Sequence, residues 1–298
     1  MQNADIAIIG GEKDFNLLRL ASYVSNKTEL KMNLLLFGES ENNSFHFDIN
    51  NRKLYVNDEE FACKSLFIRK DIFSYNESQN IKDKVTAENW FNAFSAWILA
   101  NPKLKVLNRE FYTRPYFHKS NDLFLAQKHN LPIPKTYISN STSNINRILN
   151  KRDLIYKPLK GGEHTKKLDG KFDENAYKER IFVDPCFFQE ELSYPELRVF
   201  NISGKLISFE ISSSELDYRE NRSSAKISRI QEIPEYISRN LINLNNDLNL
   251  DYSAADFKYS PEDGEFKFLE INSNPMFNSF DKISDFLICK EIINYLAS

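Results

Sequence analysis

Apolar and polar positions change period along this chain, and the changes mark out its elements. Asp5 to Ile9 (DIAII) is a short apolar run closed by Gly10-Gly11, which reads as a buried strand. FNLLRLASYVSN follows with a helical period, and LKMNLLLFG predicts a second strand. FHFDI, KLYV and KSLFIR are short alternating segments, each a predicted strand. TAENWFNAFSAWILA predicts a helix that stops at Asn101-Pro102, and KVLN predicts one more strand. Together these predict a small α/β domain ending near residue 112.

The next section begins with DLFLAQKHN, a predicted helix with Ser120-Asn121 as its cap. LPIPKTYIS reads as extended, because its two prolines exclude helix. DLIYKPLKGG predicts a strand running into a glycine turn, HTKKLDGKFDEN a polar loop, and CFFQEEL a strand. LRVFNISGKLISFEI predicts a hairpin turning at Ser203-Gly204. A helix around PEYISRNLINLNNDLN precedes two strands, YSAADFKYS and EFKFLEIN, joined by PEDG, and a final helix fills the last 20 or so residues. There is no internal repeat, and alternating helices and strands predict α/β or α+β layers.

Composition narrows the function classes. The 298 residues carry 39 basic and 42 acidic side chains, a net charge of −3, so duplex nucleic acid is not the expected main partner. Only 8 glycines exclude a linker-like or collagen-like chain. No apolar run reaches the ~20 residues of a membrane span, and MQNADIAIIGGEKD lacks the pattern of a signal peptide. Cys63, Cys186 and Cys289 fit no zinc or redox spacing and read as buried reduced thiols of a cytoplasmic protein.

Three segments carry candidate chemistry. In EFKFLEINSNP, strand alternation places Phe266, Phe268, Glu270 and Asn272 on one face, and Asp256 shares a face with Ala254 and Lys258 in the preceding strand. If the two strands pair through PEDG, Asp256 and Glu270 become neighbours. Two carboxylates and an amide oxygen suit a hard cation such as magnesium; the plainer alternative is an edge strand with exposed charges. Lys157, inside LIYKPLKGG, can hold a phosphate as a point charge, with the Gly161 and Gly162 amides as further donors, or it is a surface lysine. The spacing is not that of a Walker A loop. In FQEELSYPELRVF, Glu196 and Arg198 alternate onto one face, where they suit ribose hydroxyls and a phosphate or carboxylate, or else form a cross-strand ion pair.

The order of these segments is more specific than any one of them. Lysine near a helix start, lysine-proline in a strand, Gln-Glu-Glu, Glu-x-Arg, Asp-x-Arg, then Asp and Glu-x-Asn resembles the ATP-grasp superfamily over roughly residues 113 to 285. HKSNDLFLAQKHNLPIPKT is similar to the ligase that adds glutamate to a ribosomal protein. YISNS, FEISSSELDYR and LFIRKDIF are closer to the microviridin-type peptide ligases, which close side-chain ester and amide rings in ribosomal precursor peptides (graspetides). ENRSSAK stands where the glutamate ligases carry a glycine-rich stretch, which weakens the amino-acid-ligase alternative.

The resemblance implies an ATP-grasp fold of the α/β (α+β) class. It would consist of an N-terminal α/β pre-grasp domain (1–112), a central lid domain (113–189) and a C-terminal domain (190–298), with nucleotide between the central and C-terminal sheets. It implies ATP and Mg2+ as cofactors, and formation of an acyl phosphate that a hydroxyl or amine attacks. Lys119 and Lys157 would hold nucleotide phosphates, with Gly161 and Gly162 in the lid. Glu190, Glu191 and Leu192, beside Gln189, would be the hinge that reads adenine, and Glu196 would hold the ribose. Arg198 and Arg219 would hold the γ-phosphate and the acyl phosphate, and Asp256, Glu270 and Asn272 would ligate magnesium. The implied partner is a precursor peptide with a leader and an acidic core, with no membrane and no nucleic acid; a homodimer is left open. The alternative product is a peptide bond made on a small acid or a protein terminus.

Overall fold

The computed structural model describes residues 4–38, 43–70, 73, 81–112, 119–149, 153–159, 165–168, 184–216 and 225–298, without the side chains of 81–84 and 119. In chain order the first part contains β1 (Ala4–Gly11), α1 (Phe15–Lys27), β2 (Met32–Phe37), β3 (Phe45–Asp48), β4 (Lys53–Val56), β5 (Glu59–Phe61), β6 (Cys63–Ile68), α2 (Ile81–Ala100) and β7 (Lys105–Val106). The sheet β2-β1-β6-β7 is parallel throughout, and β3-β4-β5 is a small antiparallel sheet. Seven of the eight residues of β1 are buried, as a parallel strand covered on both faces must be. One face of this sheet (Ala7, Ile9, Leu66, Ile68) packs on Phe94, Trp97 and Ile98 of α2 and on Leu54 and Val56 of β4. On the other face Ile6 and Ile8 meet the apolar stripe of α1, Leu17, Leu20, Ala21 and Val24. Asp14 caps α1 by accepting the Asn16 N–H at 2.8 Å.

The second part contains α3 (Lys119–Lys128), β8 (Thr136–Ser139), α4 (Thr142–Leu149), β9 (Leu154–Pro158), β10 (Lys166–Lys167) and β11 (Cys186–Glu190). Its strands form the antiparallel sheet β10-β9-β11-β8. The third part contains β12 (Ser193–Ile202), β13 (Lys205–Ser212), β14 (Lys226–Ile230), α5 (Glu235–Asp247), β15 (Tyr252–Ser260), β16 (Glu265–Asn272), α6 (Asn278–Ile283) and α7 (Leu287–Ala297). Its sheet runs β14-β13-β12-β15-β16, all antiparallel. The β12–β13 hairpin turns on Ser203 (φ 49°) and Gly204 (φ 85°), two consecutive left-handed residues, as the right-handed twist of a two-residue hairpin requires.

Several expectations change. Ser120 and Asn121 lie inside the first turn of α3, which starts at Lys119, so they are not its cap. The final helix is two helices, broken at Asp285 (φ 48°) and Phe286 (φ 64°). The three cysteines are free, but only Cys289 is fully buried; Cys63 and Cys186 are half-buried. Burial pushes the Cys63 thiol up to about 12, which makes it a poor nucleophile. Among the described residues no helix is long and apolar enough to cross a membrane.

Candidate active site on the C-terminal sheet

Around β12 and β15 the five-stranded sheet has an apolar face and, opposite it, a charged one. Leu197 and Val199 of β12, Ala255 and Phe257 of β15, and Phe268 and Ile271 of β16 join Ile237, Leu241 and Leu244 of α5 in one core cluster. Strand alternation then places Glu196 and Arg198 of β12 on the opposite face, beside Asp256 and Lys258 of β15. The register sets Glu196 opposite Lys258, and Arg198 opposite Asp256. Arg198 Nη1 donates to both oxygens of Asp256 at 3.0 Å, with both residues buried. The Arg198 guanidinium also lies 5.3 Å from the centre of the Phe280 ring.

Asp256 stands directly opposite Glu270, so the two carboxylates are neighbours through the β15–β16 hairpin. The reason differs from the alternation expected. The register shifts between Asp256 and Phe257: Phe257 faces Phe268, Asp256 faces Glu270, and Leu269 is the extra residue. A bulge reverses the alternation beyond it. Phe268 and Ile271, three apart, therefore share the core face, while Glu270 and Asn272 turn away from Phe266 and Phe268 onto the face of Asp256. The bulge also brings Lys267, opposite Lys258, onto that charged face.

Lys267 escaped the sequence reading, although a lysine between Phe266 and Phe268 three residues before Glu270 was a signal. Its ammonium, 6% exposed, donates to Glu190 Oε1 at 2.9 Å and pairs with Asp263. Glu190 Oε1 also accepts the Lys135 N–H at 3.0 Å. Burial pushes the Glu190 carboxyl up, but the hydrogen bonds from Lys267 and Lys135 outweigh it and hold the group below the usual carboxylate range. Burial likewise pushes Lys267 down, and its bonds to Asp263 and Glu190 hold it above the usual lysine value. Lys258 donates to the Leu216 carbonyl at 3.0 Å and stacks on the Tyr194 ring at 4.1 Å.

In the central sheet Lys157 lies opposite Phe187, and Gln189 opposite Ile155. By that register and strand alternation, Lys157 and Gln189 lie on the same face of the central sheet as Phe187, which packs into the core cluster of Phe257 and Phe268. Gln189 Nε2 donates to Thr136 Oγ1 at 2.9 Å, and its buried Oε1 has no partner among the described residues. At the hinge, the Glu190 N–H donates to the Lys135 carbonyl and the Glu191 N–H to the Asp153 carbonyl, both at 3.1 Å. Neither amide is available to a base, which narrows the backbone reading of adenine expected there. The Glu191 carboxylate pairs with Lys167 at 2.8 Å, and Leu192 is buried. Lys119 opens α3, but its side chain, together with Gly161, Gly162, Arg219 and residues 161–164 and 169–170 of the expected lid loop, lies outside the described residues; within that loop Lys166 and Lys167 form β10 against β9 rather than a loop.

The donors fit magnesium. Asp256 and Glu270 offer hard carboxylate oxygens from adjoining strands and Asn272 an amide oxygen two residues on. Asn272 Nδ2 donates to Glu270 Oε1 at 3.4 Å, tying the amide to its neighbour. Among the described residues no group of three His, Cys, Asp or Glu forms a metal cluster.

No protein-family model and no curated protein matches this chain. Solved structures do. The ATP-grasp ligase PsnB, complexed with a minimal precursor, Mg and ADP, superposes with a TM-score of 0.76 at 23% identity, over 99% of this chain and 99% of PsnB. A RiPP-associated ATP-grasp ligase of Chryseobacterium gregarium, in complex with ADP and a leader and core peptide, gives 0.72 at 19% identity, over 99% and 96% of the two chains. The macrocyclase MdnC of Microcystis aeruginosa MRC, bound with precursor peptide MdnA, gives 0.71 at 16% identity, over 98% and 99%. The protein has the ATP-grasp fold. It has it over the full length of these peptide-ligase structures, N-terminal α/β part included.

Proposed function

We propose that this protein is an ADP-forming ATP-grasp ligase that closes side-chain ester or amide rings in a ribosomal precursor peptide. The observation that carries the reading is the charged face of the C-terminal sheet on which Arg198 pairs with Asp256 and Asp256 stands opposite Glu270. It is supported by the likeness to ligases whose structures hold ADP and precursor peptides. The proposed parts are an N-terminal domain (1–112), a central lid domain (113–189) and a C-terminal domain (190–298).

In the proposed reaction a peptide carboxylate attacks the γ-phosphorus of ATP, the bond to the β-phosphate oxygen breaks, and ADP leaves. The resulting acyl phosphate is attacked by a side-chain hydroxyl or amine of the same peptide. Inorganic phosphate departs, and one water is lost from the peptide per bond. Lys157 and Lys119 would hold the phosphates, Glu196 the ribose, and Arg198 with Arg219 the transferred phosphoryl group. Asp256, Glu270 and Asn272 would hold Mg2+, which when bound neutralises phosphate charge during phosphoryl transfer. The Gln189 amide, with its unpartnered oxygen on the same face as Lys157, would accept a hydrogen bond from the nucleotide. No protein nucleophile is required; positioning and electrostatics suffice. The free thiols suit a reducing, cytoplasmic setting.

Purified protein with ATP, Mg2+ and a leader-plus-acidic-core precursor should release ADP and yield a peptide lighter by one water per bond. ADP release triggered by single amino acids, with the precursor unchanged, would replace this reading with that of an amino-acid ligase.

A further inference from the structure

β16 ends at Asn272, and the chain then turns through Ser273, Asn274 and Pro275 before α6. Beyond the ladder, its carbonyls need other partners. They find them on the N-terminal part of the molecule. Arg69, 1% exposed and just past β6, donates from Nη1 to Asn274 Oδ1 at 2.7 Å and to the Pro275 carbonyl at 2.8 Å. Its Nε is held by Asp14 Oδ2 at 2.7 Å. Asn108, also buried, donates from Nδ2 to the Ser273 carbonyl at 2.7 Å and to the Tyr252 carbonyl at 2.6 Å, and accepts the Tyr252 N–H at 2.8 Å. It thus ties the start of β15 to the exit of β16. The Tyr252 hydroxyl reaches the Pro275 carbonyl at 3.3 Å. Asn16, braced against Asp14, accepts the N–H groups of Phe277 and Asn278 at 2.7 and 2.8 Å.

We propose that Arg69 and Asn108 are positioning residues for the candidate metal ligands: by fixing the Ser273–Pro275 turn from the N-terminal sheet, they hold Glu270 and Asn272 in register with Asp256. The inference rests on the magnesium reading of those three residues. The bulge leaves Leu269 without an opposite residue and bends the strand there, and beyond it only the pairs Asp256–Glu270, Ala255–Ile271 and Ala254–Asn272 carry the strand to its end. The clamp lies two residues past Asn272, so it sets where the strand end sits. Ligand groups must be placed to within about 0.5 Å to bind well. Partners that orient ligands from behind typically change metal affinity by about 10–100-fold when removed.

The test uses the full-length protein with Mn2+ as the metal probe and AMPPNP as the nucleotide, comparing wild type with Arg69→Lys, which keeps the charge but loses the fork, and Asn274→Ala, which removes only the acceptor. Mn2+ affinity in the nucleotide complex is read by electron paramagnetic resonance, metal-free nucleotide affinity by titration, and folding by thermal melting. We expect Mn2+ affinity to fall at least about 10-fold in both variants, with metal-free nucleotide affinity changed less than about 2-fold. Should Arg69→Lys not fold, Asn274→Ala decides alone. Unchanged Mn2+ affinity in folded variants, or an equal loss of metal-free nucleotide affinity, overturns the inference. Wild type that binds no Mn2+ with nucleotide, or a Glu270→Ala variant that binds it as well as wild type, overturns the magnesium reading instead.

Discussion

Asp256 is asked to do two things: neutralise a buried arginine and stand beside a second carboxylate. Its bidentate bond to Arg198 answers the first, and the same cation lessens the repulsion from Glu270. Asp256→Asn should therefore fold but lose about 2–3 kcal/mol in denaturant unfolding, because it leaves a buried guanidinium without its carboxylate. ADP release should drop by more than about 100-fold, since metal and phosphate positioning fail together. Wild-type turnover in that variant would remove Asp256 from the site. Glu190 and Lys267 make a different prediction. The Glu190 carboxyl lies below its usual range, so its contribution to stability is present above the unfolded value of about 4.3 and is lost as pH falls through the folded value. Lys267 lies above its usual value, so its contribution is present below about 10.4 and is lost as pH rises through the folded value. Glu190→Gln should be about 1–3 kcal/mol less stable than wild type at neutral pH, with the gap shrinking below about pH 4. A gap that stays constant down to acid unfolding would assign its cause to packing. At this scale Glu196, Arg198 and Asp256 were legible, because a period of two fixes which residues share a face. Arg69 and Asn108 were not, because their partners lie far away in sequence, and the Lys267–Glu190 pair was not for the same reason, although Asp263, the other partner of Lys267, is only four residues away.

Strand β16 shows where element-level reading fails. The pairing of Asp256 with Glu270 was legible from the PEDG hairpin, yet the face of Glu270 was misread. A bulge depends on the partner strand, and no local pattern in EFKFLEIN announces it. The break between α6 and α7 was missed for a related reason: chain breaks are read from glycine and proline, and here Asp285 and Phe286 take the left-handed conformation. Tertiary contacts support them, with the Arg19 guanidinium 3.7 Å over the Phe286 ring and the Cys289 N–H donating to Asp281 at 3.0 Å. Where glycine does serve a turn, its role can be isolated. At Gly204 and Gly264, with φ of 85° and 69°, an added Cβ meets nothing within 4 Å, so substitution strains the backbone alone. Gly204→Ala and Gly264→Ala should each cost about 1–2 kcal/mol in chemical denaturation. Gly204→Ala should keep wild-type turnover, being remote from the charged face. Costs near zero would mean that these turns relax to another type.

The alternation of elements predicts a small α/β domain at the N-terminus, but it does not show how firmly that part is joined to the rest. The joint is hydrophobic core. Ile6, Ile8, Leu17, Leu20 and Val24 pack in one cluster with Phe200, Phe209, Phe280, Ile288 and Ile292, so neither part covers its own apolar face. Burying a side chain of this size is worth about 1.5–3 kcal/mol, and ten of them exceed the net stability of an ordinary domain. Charge is tied across the same joint. Asp281, fully buried, accepts from Arg19 of α1 at 2.6 Å and from the Cys289 N–H at 3.0 Å. Arg69 and Asn108 continue that joint to the end of β16, which makes the N-terminal part a support for the candidate site rather than an appendage. Two outcomes follow for the whole molecule. Fragments 1–112 and 113–298, expressed separately, should be insoluble or unfolded, each exposing half of a shared core. Asp281→Ala in the intact chain should cost about 3–4 kcal/mol by stranding Arg19 and the Cys289 amide, a fall of about 5–6 °C in a thermal melt that stays a single transition. A soluble, cooperatively folded 113–298 fragment, or a melt that splits in two when Asp281 is removed, would show that the parts are stable on their own and that the joint only docks them.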